Sequence, residues 1–401
     1  MVSRRDSVDP LAVGDEVVLE VGPIAHGGHC IAHHAGRTLL VRHTLPGERV
    51  RARVTAVASK VSRADAVEIL SASPDRVEPR CAFAGPGGCG GCDFQHVALP
   101  AQRELKRQVI GDALRRFADL PDTLSEVRVV PGDTDGLHWR TRVTWQVDAG
   151  GDLGFYGARS HRVIPVAECP LTTAGIAAWR RTASPMPGSR RVLAVEDSDG
   201  TTAVQADGRA VLGPATIHQR VQQRAWDLPL NGFWQVHPGA ASVLVDAVLD
   251  LARPQQGERW WDLYGGAGLF SAFLAEAIGE TGSVDCVEGF AASAQQARAA
   301  LRDLPVVSVT HADVRHWTAR QQGPVHGVVM DPPRTGAGAD VVRAVAGLRP
   351  SRVVYVACDP VALARDVRTF REHGYTLEAL SAFDCFPMTH HVECVALLTG
   401  H

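Results

Sequence analysis

Cys358 stands in the stretch VVYVACDPVALARD, where a β-branched run from Val353 to Val356 gives way to a turn holding Cys358 and Pro360. A helical run begins at Val361. A thiol at the C-terminal end of a strand in an open α/β sheet sits where such sheets place their ligands. Once ionised it is a strong nucleophile. Glu393, in FPMTHHVE ahead of the final strand run, is the carboxylate best placed for proton transfer, with His390 and His391 as rival proton carriers.

A second group reads as a binding loop. Asp262-Leu-Tyr-Gly-Gly-Ala-Gly268 follows a strand run and precedes an apolar helix from Leu269 to Ile278. A dinucleotide fingerprint reads G-x-G-x-x-G, and this loop does not fit it. Glu288 ends the next strand, where a ribose hydroxyl is bound in such folds, and Asp313 ends the third, within reach of an adenine amine. A glycine loop, then Glu, then Asp on successive strands is the pattern of an S-adenosylmethionine site. Gly266 supplies close backbone approach.

Asp331-Pro-Pro-Arg-Thr-Gly336 closes the fourth strand with a stiff, extended turn. In amino-methylating enzymes the residue after the prolines is an aromatic that stacks on the target base. Arg334 stands there instead. Together with a strand-end cysteine, this points to methylation at a pyrimidine carbon. Carbon 5 of uracil is too weak a nucleophile to take a sulfonium methyl unaided. A thiolate added at carbon 6 places electron density on carbon 5, and a carboxylate then removes the carbon 5 proton. A non-catalytic RNA-binding protein would lack Cys358, Glu393 or the glycine loop, and a 5-methylcytosine enzyme would carry Pro-Cys strings absent here.

Cysteine spacing marks a third group. Cys81, Cys89 and Cys92 lie in a glycine-rich segment as C-x7-C-x2-C, and Cys169-Pro170 is the candidate fourth ligand. Such a set suits Zn²⁺ or an iron–sulfur cluster. Cys30, Cys286, Cys385 and Cys394 read as small core hydrophobes.

The elements that must position these groups fall into three stretches of the 401 residues. Residues 1–74 show short strands split by turns, an OB-like barrel in which Arg49, Arg51 and Arg53 line one face, either as a nucleic-acid surface or as a solvated one. Residues 75–230 form a β-rich cysteine domain. In it the run from Leu99 to Leu120 is an amphipathic helix with Gln102 and Lys106 on its polar face, and Trp139 and Trp145 read equally as core or as base-stacking aromatics. Residues 185–210 read as loops around one strand, RVLAVED. Residues 231–401 hold a doubly wound α/β domain, with strand and helix alternating from Gly257 onward. Net charge is −3, and Lys60 and Lys106 are the only lysines, so RNA contact has to come from local arginine patches. MVSRRDSVDP has no apolar core of a signal peptide, and no apolar run of membrane-spanning length occurs. The reading is a cytoplasmic enzyme with no membrane and no obligate protein partner.

With these motifs in place the chain resembles, nearly end to end, the TRAM-domain RNA 5-methyluridine methyltransferases. The resemblance implies a TRAM barrel at the N-terminus and a Rossmann-like class I methyltransferase domain at the C-terminus. It implies a [4Fe–4S] cluster on Cys81, Cys89, Cys92 and Cys169, and donor contacts from Gln235 in Gly232-Phe-Trp-Gln-Val and from Tyr264, Glu288, Asp313 and Asp331. Cys358 matches the nucleophile and Glu393 the base, and the implied substrate is a uridine of 23S rRNA or of tRNA. Asp359 stands where the family usually has Asn. Turned inward, its carboxylate would raise the thiol pKa.

Overall fold

The computed structural model describes residues 11–400; the segment on which the signal-peptide reading rests lies outside them. By internal contacts the chain forms two units. One takes residues up to Val109 with Phe155–Ile164 and Pro387–His390, and the other takes Ile110–Gly154, Pro165–Phe386 and the residues from His391 onward.

In the first unit β1 (Glu16–Ala25), β2 (His29–His34), β3 (Arg37–Arg42), β4 (Arg49–Ala56) and β5 (Val61–Ser71) close a barrel in the order β1-β2-β3-β5-β4. Period-2 alternation fills it with Leu19, Cys30, Leu39, Val41 and Val50. Sequence reading overlooks β2 because HCIAHH hides two core residues, Cys30 and Ala32, among three histidines. The arginines of β4 do face outward, but each meets a glutamate: Arg49 with Glu20, Arg51 with Glu68 and Arg53 with Glu16. That face is charge-balanced, and such exposed pairs add little stability.

Helix α1 (Leu99–Ala113) ends in a π turn over Leu114–Ala118. Two of its supposed polar-face residues are buried. Gln102 is fully enclosed: its Nε2 donates to the Phe94 and Val97 carbonyls, and its Oε1 accepts from the Met388 amide. Lys106 is 2% exposed. A glutamine that satisfies irregular backbone belongs inside, and helical periodicity alone cannot reveal that.

Strand β6 (Arg128–Val129) follows, then β7 (Arg142–Val147), β8 (Leu153–Tyr156), β9 (Val163–Pro165), α2 (Ala174–Thr182), β10 (Arg191–Glu196), β11 (Thr202–Ala206) and β12 (Arg209–Leu212). The sheet order is β12-β11-β10-β7-β8-β9. Residues 185–210 thus hold two strands beyond the expected one, and β12 runs on to Leu212. Asp207-Gly208, both at positive φ, turns β11 into β12, an Asp-Gly hairpin signal. Trp139 and Trp145 are 3% and 1% exposed, which assigns them to the core. The hairpin β13 (Thr216–Val221) and β14 (Arg224–Pro229) completes this stretch.

The remaining elements are α3 (Ala240–Ala252), β15 (Arg259–Leu263), α4 (Leu269–Ile278), β16 (Ser283–Glu288), α5 (Ala291–Ala300), β17 (Val307–His311), α6 (Val314–Thr318), β18 (Gly327–Met330), α7 (Ala339–Gly347), β19 (Arg352–Ala357), α8 (Pro360–Glu372), β20 (Tyr375–Asp384) and β21 (Glu393–Gly400). They build an eight-stranded sheet, β17-β16-β15-β18-β19-β21-β20-β6, whose first five strands are parallel and in which β21 runs antiparallel to both neighbours. Val353 to Ala357 are all buried, alternately in the cores on the two faces of the sheet, as a doubly covered strand requires. Chain order reverses at β15, so its C-terminal end is the switch point where ligands bind. Sequence reading missed β20, whose alternation is broken by a register shift between Leu377 and Ala379.

Candidate active site

The glycine loop leaves β15 at that switch point. Asp262 is fully buried, and its Oδ2 accepts from the Ser271 amide (2.8 Å) and hydroxyl (2.6 Å), fastening the strand end to the first turn of α4. Burial, with the Glu288 charge nearby, pushes its pKa up to about 6. Tyr264 adopts φ +63, a costly conformation for a bulky residue. Gly266 has φ +55, and a Cβ there would meet nothing within 4 Å, so the loop leaves open space at this position. At Gly265 a Cβ would lie 2.5 Å from the Cys286 sulfur, which excludes a side chain in this packing.

Glu288 ends β16, is 6% exposed, and accepts from the Gly266 amide (2.9 Å) and the Phe290 amide (2.6 Å). Asp313 lies two residues past β17 instead of at its last position. It is exposed and caps α6, accepting from the His316 amide at 2.9 Å. Gln235 is half-buried in the extended segment before α3, next to Trp234, which packs on Trp226 at 5.2 Å. Phe290, 78% exposed beside Glu288, carried no signal in the sequence.

The nucleophile candidate, Cys358, directly follows β19. Ala357 pairs with Cys394 as the last pair of the β19–β21 ladder, so Cys358 and Glu393 are the next residues beyond it on the two strands. Burial pushes the Cys358 thiol up to about 12, with the Glu393 and Asp331 charges adding to the rise and Arg334 opposing it. Glu393 is 5% exposed, and burial raises its carboxyl well above the usual range, Asp331 adding and Arg334 opposing. Asp331 follows β18, its amide donating to the Leu263 carbonyl, and burial with the Asp262 charge raises it to about 7. Cys358, Glu393 and Asp331 are thus one electrostatic group that resists a second negative charge, with Arg334 as its cation.

Asp359 is turned away from the thiol. It is the N-cap of α8, accepting from the Val361 (3.0 Å) and Ala362 (2.8 Å) amides. It is absent from the groups that most raise the thiol pKa. The rival proton carriers are engaged elsewhere: His390 Nδ1 lies 2.6 Å from Asp93 in the first unit, and His391 Nε2 lies 3.3 Å from Arg334.

Asp331 gives a stability prediction. Its folded pKa lies above the ordinary value, so the folded protein holds this proton through a window from about pH 4 to 7 in which the unfolded chain has lost it. Its contribution therefore falls as pH rises through that window and stays lost above it. Asp331→Asn is expected to raise the thermal midpoint by about 2–4 °C at pH 8 and by less at pH 5. Calorimetry of both proteins at both pH values checks this, and a lower midpoint for the variant at pH 8 would refute it.

Among the described residues no group of three or more His, Cys, Asp or Glu side chains is arranged to hold a metal ion. Cys81, Cys89 and Cys92 belong to the first unit and Cys169 to the second. All four are half-buried. The Gly91 amide donates to Cys89 Sγ (3.4 Å) and Gln95 Nε2 to Cys92 Sγ (3.6 Å), a donor environment compatible with thiolates. The other core-assigned cysteines, Cys30, Cys286, Cys385 and Cys394, are all buried.

A Rossmann-like sheet with an acidic glycine loop at its switch point, and a thiol and a carboxylate at neighbouring strand ends, defines a class I methyltransferase attached to a small closed barrel. Comparisons with known proteins narrow the class. A model of the tRNA (uracil-5-)-methyltransferase family matches residues 321–401, and a TRAM domain model matches residues 10–67. The chain is 41% identical to an uncharacterized RNA methyltransferase of Streptomyces avermitilis, over 96% of this chain and 98% of that one. It is 28% identical to the 23S rRNA (uracil(1939)-C(5))-methyltransferase RlmD of Shewanella denitrificans, over 94% and 95%. The Pyrococcus abyssi tRNA (uracil-54, C5)-methyltransferase, solved with S-adenosyl-L-homocysteine, shares the fold with a TM-score of 0.71 at 22% identity, covering 95% of this chain and 99% of that one. The chain belongs to the TRAM-domain, S-adenosylmethionine-dependent RNA (uracil-5-)-methyltransferases. No helix among the described residues is long and apolar enough to cross a membrane.

Proposed function

We propose that the enzyme methylates carbon 5 of a uridine in structured 23S rRNA through a covalent bond between Cys358 and carbon 6, with Glu393 as the base. The observation that carries this is that the β19–β21 ladder ends at Ala357–Cys394, with Cys358 and Glu393 the next residues beyond that pair, and that the Glu393, Asp331 and Arg334 charges all act on the thiol. Cys358 Sγ bonds to carbon 6, and the electron pair of the 5,6 double bond shifts toward carbon 5. S-adenosylmethionine would supply an electrophilic methyl group on a cationic sulfur; carbon 5 bonds to that methyl as its bond to sulfur breaks, the electron pair staying with the departing neutral thioether. The Glu393 carboxylate takes the carbon 5 proton, the double bond re-forms, and the sulfur–carbon 6 bond breaks to return the thiolate.

A thiol with a pKa near 12 is only about one part in 10⁵ thiolate at pH 7. Positive charge is therefore needed near it, and Arg334 and the donor sulfonium are the two sources. Gln235, Tyr264, Gly266, Glu288, Asp313 and Asp331 are assigned to the donor. For Glu288 the supporting observation is a buried carboxylate against the open glycine loop; for Asp313 it is only an exposed carboxylate past β17. The ribosomal target is favoured by the likeness to RlmD, and tRNA is the second reading.

The test is to incubate the purified protein with methyl-labelled donor and separate 23S rRNA and tRNA transcripts, and to identify the labelled nucleoside. Labelled 5-methyluridine from 23S rRNA is expected. Label in tRNA alone selects the second reading, and 5-methylcytidine or no labelled base in either RNA overturns both. For the cysteines we propose a [4Fe–4S] cluster on Cys81, Cys89, Cys92 and Cys169, supported by the two donors to sulfur; no step of the transfer passes through it. Iron and sulfide assay after anaerobic purification decides that point.

A further inference from the structure

The stretch containing Cys358 closes on Asp366, a residue the reaction scheme leaves without a part. It is 5% exposed on α8, and one of its oxygens, Oδ2, gathers three donors: the Tyr355 hydroxyl at 2.6 Å, the Ala337 amide at 2.7 Å and the Gly338 amide at 3.3 Å. Tyr355, fully buried on β19, also accepts from the Ala337 amide at 3.0 Å. Both amides belong to the loop that carries Asp331 and Arg334.

That loop is held at both ends. At its start the Asp331 amide donates to Leu263 in the strand leading to the glycine loop. In its middle two prolines stiffen it, and a turn closes from the Gly336 amide to the Pro333 carbonyl at 2.8 Å. Gly336 has φ +86, and a Cβ there would lie 2.7 Å from Asp366 Oδ2 and 3.3 Å from the Ala362 Cβ. Glycine is required both for the turn and for the approach of the carboxylate.

Helix α8 therefore acts on both halves of the site. Its cap, Asp359, sets the turn that presents Cys358. Seven residues on, about two turns and ~10 Å along the same face, Asp366 anchors the loop bearing Asp331 and Arg334. A single rigid element fixes the nucleophile relative to the charges that govern its ionisation.

We propose that Asp366 and Tyr355 are positioning residues for methyl transfer, holding the Asp331–Gly338 loop in register with Cys358. This rests on the proposed covalent mechanism. A misplacement of about 1 Å in such a constellation costs up to about 100-fold in rate.

The experiment uses the full-length protein with the RNA and donor at saturation, measuring single-turnover methyl transfer per folded molecule well below the unfolding temperature. Asp366→Ala is expected to slow transfer at least about tenfold and Tyr355→Phe about three- to tenfold. Asp366→Asn, whose amide oxygen can take the place of Oδ2, should recover most of the rate. Hydrogen exchange should quicken at Ala337 and Gly338 in Asp366→Ala. Wild-type rates per folded molecule in Asp366→Ala and Tyr355→Phe, or losses that only track the folded fraction, overturn the proposal while leaving the mechanism standing. A wild-type protein that transfers no methyl to RNA overturns the mechanism and this inference with it.

Discussion

Replacing Cys358 by alanine is expected to lower methyl transfer to RNA by about 10⁴-fold or more. No other thiol can take over at this strand end: Cys394, opposite Ala357, is fully buried in the core between β19 and β20. The same variant should fail to form a denaturant-stable complex with RNA containing 5-fluorouridine, which the wild type should form because fluorine cannot leave carbon 5 as a proton does. Donor binding should be nearly unchanged, since the glycine loop and Glu288 lie on β15 and β16, away from the substituted position. The measurements are methyl incorporation, gel retention of the fluorinated complex and calorimetric donor affinity. Full trapping by Cys358→Ala would remove the thiol from the chemistry. A pH profile adds a signed check. With the thiol raised to about 12, the thiolate fraction of the free enzyme climbs tenfold per pH unit across the neutral range, so adduct formation should accelerate with pH.

Much of this site is legible in the sequence because strand ends carry a local signature. A β-branched run broken by Cys-Asp-Pro, or by Asp-Pro-Pro, marks the place where a buried strand stops. Cys358 and Asp331 were each locatable in this way, and Glu288 as the last residue of the strand after the glycine loop. Asp313 was only approximately so, because a carboxylate two residues past a strand is as good a helix cap as a ligand, and here it caps α6.

Other features depend on partners distant in sequence. Asp366 reads as an ordinary polar position of an amphipathic helix until the Ala337 and Gly338 amides, 29 and 28 residues earlier, are brought onto it. Gln102 is hidden in the same way, its partner Met388 lying 286 residues on. The orientation of Asp359 was open in sequence and follows from its backbone: an extended cap residue ahead of Pro360 at the first turn aims its carboxylate at the exposed amides of α8. The arginines of β4 were visible, but their neutralisation was not, because Glu16, Glu20 and Glu68 reach them only through strand pairing. The metal reading is of the same kind. Spacing supplies thiols, and only assembly makes them ligands.

Glu393→Gln separates bond formation from product release. The variant keeps the shape of the buried position and loses only the ability to accept the carbon 5 proton. Cys358 can still add to carbon 6, and the methyl can still be transferred, but the double bond cannot re-form. Unmodified RNA should therefore leave a methylated complex covalently attached to the variant, with turnover reduced by about 10²–10⁴-fold, the usual contribution of a positioned base. The elevated pKa of Glu393 suits proton abstraction, because burial makes its carboxylate a stronger base than an exposed one. Its sign also predicts a pH effect. A raised carboxyl is ionised only toward higher pH, so wild-type release should quicken as pH rises through that pKa, whereas the residual release of Glu393→Gln should lack that limb. His390→Ala and His391→Ala should release product normally, since their rings already engage Asp93 and Arg334. Denaturing gels and mass measurement of the RNA–protein complex read the outcome, with the double variant Cys358→Ala, Glu393→Gln as the blank. Accumulation of adduct in His391→Ala instead of Glu393→Gln would transfer the role of base to that histidine.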